Sequence, residues 1–192
     1  PNSSVNLSRY VDAYHDFMTQ FEETDVLPVL AYFSDSFPHK KSNLSSFAKK
    51  QIDSFSGVLR NFGYYQWDSE NASTSIWQLR LINALIKSTS INDINDFSSR
   101  ESNFVVDYLM RFSEPLTEDS DPNYEIKKVF FAFDSESKPE LWLRLASGRD
   151  IPFSKLPAGY LRLYSIVLDI AYRAFLLNRN SNIIPTGLVI ID

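Results

Sequence analysis

The chain has 192 residues, with 44% hydrophobic and 15% aromatic content, 19 basic and 24 acidic side chains and a formal net charge of −5. This composition favours a packed core over a disordered tail and weighs against a dedicated nucleic-acid binder, which carries a basic footprint. The absence of cysteine excludes a disulfide scaffold and any thiolate metal site, and suits a cytoplasmic protein.

Apolar spacing of three and four predicts a first helix through Tyr10, Val11, Tyr14, Phe17, Met18 and Phe21. Leu27 to Phe33 reads as a short buried strand with Pro28 near its start, where proline is tolerated. A loop carrying Pro38 and Lys40-Lys41 leads to a second helix from Leu44 to Phe62, closed by Gly63. Tyr64, Tyr65 and Trp67 fall in a turn, and a largely buried third helix is predicted from Ser73 to Lys87. A fourth follows, capped by Ser98 or Ser99, with Phe104, Val105, Tyr108, Leu109 and Phe112 on one face.

Ser113 to Asn123 is an acidic loop with two prolines. Tyr124 to Asp134 and the alternating run Leu141, Leu143, Leu145 predict a β-hairpin, and Ile151 to Phe153 a brief third strand. From Pro157 a long helix runs to Asn178, its inward stripe Leu163, Ile166, Val167, Ile170, Ala174 and Leu177, with Asp169 and Arg173 paired one turn apart on its surface. Gly187 to Ile191 is an apolar run ending at Asp192, expected to be buried on both faces as in a parallel sheet. The fold class is therefore α+β or α/β.

No apolar run is long enough to span a membrane. Pro1 stands where an initiator Met would, which suggests a piece of a longer protein. Asn2, Asn6, Asn43 and Asn71 open Asn-x-Ser sequons, which read as chance in a chain rich in Asn and Ser. His15 and His39 have no metal-ligand spacing partner and read as surface residues. Glu114, Glu118, Asp119 and Asp121 lack the calcium-loop pattern and read as a solvated loop. Tyr64, Tyr65, Trp67 and Trp77 are suited to stacking on bases, but packing between helices is the simpler role.

The chemistry lies in the last forty residues. Leu156-Pro157-Ala158-Gly159-Tyr160, followed by Leu161 and Arg162, opens the long helix, and Leu188-Val189-Ile190-Ile191-Asp192 follows it. A helix N-terminus offers unpaired N–H groups and a partial positive charge to a phosphate, and a glycine there allows close approach. An aspartate at the carboxyl end of a parallel strand lies beside a nucleotide crevice.

This order resembles the signature motif, signature helix and Walker B strand of ABC-type ATPases, above all bacterial ATP-binding proteins related to the RecF, SMC and OLD-nuclease ATPases within the wider P-loop and AAA group. The resemblance implies an internal fragment: residues 1–43 an N-terminal helix and core strand, 44–113 a helical insertion of about four helices, 114–192 the hairpin, signature helix and Walker B strand of a P-loop core. It implies ATP and Mg²⁺ as cofactors of the parent, held between two heads in a head-to-head dimer. Pro157, Ala158, Gly159, Tyr160 and Arg162 would face nucleotide, and Asp192 would hold the metal. It points to nucleic acid or a protein as partner, in DNA repair, chromosome maintenance or phage defence.

Two departures stand out. Pro157 replaces the usual serine and supplies neither hydroxyl nor N–H. None of the five glycines fits a phosphate loop, and the catalytic glutamate expected after Asp192 is not in the chain, so no catalytic residue is assigned and the chain alone is expected to be inactive. The alternative is a non-catalytic helical module with a hairpin that binds a protein or nucleic acid.

Overall fold

The computed structural model describes residues 26–35, 45–54, 58–67, 74–90, 96–114, 124–179 and 185–192. The first predicted helix, the four sequons, both histidines, Lys40-Lys41 and most of the acidic loop lie outside these residues. Strand β1 (Val29–Phe33) is followed by α1 (Ser46–Asp53), a 3₁₀ turn (Arg60–Tyr64), α2 (Thr74–Ser90) and α3 (Phe97–Ser113). Then come β2 (Ile126–Phe133), β3 (Pro139–Leu145), β4 (Asp150–Pro152), a 3₁₀ turn (Phe153–Lys155), α4 (Ala158–Asn178) and β5 (Gly187–Ile191). The fold is mixed α+β. No helix among the described residues is long and apolar enough to cross a membrane.

The described residues form two sheets. β2, β3 and β4 form an antiparallel three-stranded sheet in that order, as the alternating leucines predict. Leu141, Leu143 and Leu145 point into the core, while Arg144 and Asp150 face solvent as a bidentate pair at 2.8 Å. That hydrogen bond holds the Asp150 carboxyl below its ordinary range. β1 and β5 form a parallel pair, Val29 opposite Gly187 through Phe33 opposite Ile191.

α4 joins the two sheets. Tyr164, Val167, Leu168, Ala171, Tyr172, Phe175 and Leu176 enter one apolar core with residues of α1, α2, α3 and the hairpin. Ile166 packs on Ala31 and Phe33 of β1, and Ala174 and Leu177 on Leu27 and Val29. Asn178 fixes the register at the far end: its Oδ1 accepts from Leu27 N at 2.8 Å and its Nδ2 donates to Leu27 O at 3.2 Å.

The structure corrects four expectations. The helix predicted from Leu44 to Phe62 is broken, with α1 ending at Asp53 and only a 3₁₀ turn resuming at Arg60. The cause is tertiary: buried Arg80 draws the carbonyl oxygens of Gln51 (2.5 Å) and Ser54 (3.3 Å), and Gln51 Oε1 accepts from Leu59 N at 2.8 Å. The cap of α3 is Asp96, which accepts from Ser98 N, rather than Ser98 or Ser99, both of which are buried. Asp169 and Arg173 pair as predicted but inside the protein, at 0% and 2% side-chain exposure. Finally β5, expected to be buried on both faces, is exposed along its length, because β1 is its only strand neighbour among the described residues and α4 lies over β1.

Candidate functional site at the head of the long helix

The head of α4 is built from the hairpin side. Phe153 and Leu156 are buried and pin the turn before the helix. Pro157 occupies the N-cap in extended backbone (φ −53°, ψ 144°) and makes no side-chain cap hydrogen bond. A proline suits a helix start because its fixed φ is compatible and its missing N–H would have no intrahelical acceptor. Its own carbonyl accepts the first helical bond, from Leu161 N at 2.9 Å. The N–H groups of Ala158, Gly159 and Tyr160 precede that bond and point out of the first turn. No acidic residue sits in that turn to compete for them.

Gly159 is exposed, and a Cβ built there would meet no atom within 4 Å. Packing therefore gives no reason for glycine at this position. Tyr160, expected to face nucleotide, stacks its ring on Tyr124, with centroids 4.0 Å apart, and leans on Tyr164. The Tyr164 hydroxyl donates to Tyr124 O at 2.7 Å. Burial first, then the neighbouring Tyr160, pushes the Tyr164 phenol up to about 12. These tyrosines tie the head of α4 to the segment that enters the hairpin.

Arg162 carries the most informative geometry. Its Nη1 donates to Asp35 O at 2.5 Å and its Nη2 to Asp192 O at 3.1 Å. Asp35 lies just past the end of β1 and Asp192 just past the end of β5, so one guanidinium holds together the carboxyl ends of both parallel strands. Asp192 N donates to Phe33 O at 2.9 Å, which extends the ladder to the last residue. Sequence order puts Gly159, Arg162 and Asp192 in one region, and the structure brings Arg162 of α4 to Asp192 at the end of β5, with Gly159 three residues before Arg162 on the same helix. Among the described residues no group of three or more His, Asp or Glu side chains is poised to hold a metal ion. Asp35 and Asp192 are acidic residues at this end among the described residues.

Two polar networks are buried; of their contacts only the Asp169–Arg173 pair is expected from the sequence. Arg80 pairs with Glu101 at 2.6 and 2.7 Å, both fully buried. Burial pushes the Glu101 carboxyl up, and Arg80 pulls against it. Trp77 donates its indole N–H to Asp169 at 2.6 Å, while Arg173 bonds the same carboxylate and reaches Gly63 O at 2.8 Å and Tyr65 O at 3.1 Å. The sequence signal was a single charge inside an apolar run, Asp169 within Ile166 to Ile170 and Arg80 within Ile76 to Ile82. Trp77 is fully buried and stacks on Tyr172, which assigns it to packing rather than to base stacking. No family model matches the chain, and no curated protein sequence matches it.

Proposed function

We propose that this chain is the part of an ABC-type ATPase that carries the signature helix and the first acidic residue of the Walker B strand, its parent binding and hydrolysing ATP between two heads. The observation that supports the reading is the Arg162 bridge, which ties the start of α4 to the carboxyl ends of two parallel strands. Open strand ends of this kind are where α/β proteins bind nucleotides, and a helix N-terminus suits a phosphate. Gly159 would let a phosphate reach the backbone, and Arg162 would keep the helix head in register with Asp192. Asp192 would hold Mg²⁺ through water; ATP and Mg²⁺ supply the phosphoryl group and its charge neutralisation when bound. Pro157 removes the usual serine hydroxyl, so the contact across the dimer would fall to Gly159 and its neighbours.

In the full-length parent, Asp192→Asn and Gly159→Asp are each expected to reduce ATP turnover strongly; unchanged turnover in both removes the assignment. For the 192-residue chain, calorimetry at micromolar concentration is expected to show no saturable ATP binding, since it has no phosphate loop. Tight stoichiometric binding would contradict the reading of an incomplete site.

A further inference from the structure

We draw no further inference here: the strongest candidate, the outer face of the β2–β3–β4 sheet where Phe130 lies beside Trp142 and within reach of Lys128 and Arg144, carries none because Asp150 already pairs with Arg144 and nothing in the structure shows what covers its rings.

Discussion

Asp169 and Arg173 stand one turn apart on α4, and their ion pair is buried beneath Trp77, whose indole N–H also bonds Asp169. The Arg173 guanidinium lies 5.7 Å from the Trp77 ring centre and holds two carbonyl oxygens of the 60–65 turn. One salt bridge thus fastens α2, α4 and that turn. Removing one partner of a buried pair leaves an uncompensated charge, which costs about 3–5 kcal/mol. Asp169→Ala should lower unfolding free energy in denaturant titration by that amount. A loss below about 1 kcal/mol would show that water or another group replaces the carboxylate.

Arg80 and Glu101 give a sharper test, because both are fully buried and bidentate. Arg80→Met and Glu101→Leu singly should each destabilise by about 3–5 kcal/mol, whereas the double variant should recover much of the loss. Additive losses in a double-mutant cycle would mean that the two residues act separately. Arg80→Met carries an additional cost, since Gln51 O and Ser54 O lose their donor and the end of α1 loses its stop.

Three glycines should respond differently to alanine. At Gly63 a Cβ would lie 2.6 Å from Leu177 Cγ and 3.2 Å from Arg173 O, and overpacking of this kind costs about 1–3 kcal/mol. At Gly187 it would lie 2.2 Å from Val29 O, so β5 must separate from β1. At Gly159 it meets nothing, and alanine in a helix gains up to about 1 kcal/mol over glycine. Thermal unfolding should therefore rank Gly159→Ala at or above wild type and the other two below it. In the parent, a Gly159→Ala variant that is stable but slower in ATP turnover would tie the glycine to phosphate approach.

Tyr164 provides a pH prediction. Its folded pKa, about 12, lies above the ordinary tyrosine value, so the folded state holds the proton more tightly than the unfolded chain. That contribution is intact below about pH 10 and is lost as pH rises toward 12. Tyr64 and Tyr172, also raised by burial, share the direction. Tyr164→Phe should cost about 1 kcal/mol at neutral pH through the lost bond to Tyr124 O. It should also make the alkaline fall in stability shallower. An unchanged alkaline slope would remove Tyr164 as a contributor.

Much of this architecture was legible in local pattern. The alternating leucines gave the hairpin, the three- and four-residue spacing gave α4, and the apolar run before Asp192 gave a strand of a parallel pair. Burial was less legible, because it depends on neighbours rather than on the segment. The run Leu188 to Ile191 has an interior composition, yet only β1 lies beside it among the described residues. The spacing of Asp169 and Arg173 revealed the pair and not the Trp77 roof above it. At the candidate site, order along the chain puts the start of α4 and the end of β5 in one region, which the Arg162–Asp192 bond links. The Arg162 bridge was not readable, since its acceptors are main-chain oxygens that any sequence would offer.

The late position of α4 in the chain has a consequence for biosynthesis. Arg173 reaches back 110 residues to Gly63, and Asn178 reaches back 151 residues to Leu27. As the polypeptide leaves the ribosome, the apolar sides of α2 and α3 emerge well before the element they pack against. Contacts of such long sequence separation slow folding, and unsatisfied apolar surface in the interim invites aggregation. Nascent chains stalled before Ala158 should therefore depend on chaperones, and release should come only once Asn178 has cleared the exit tunnel.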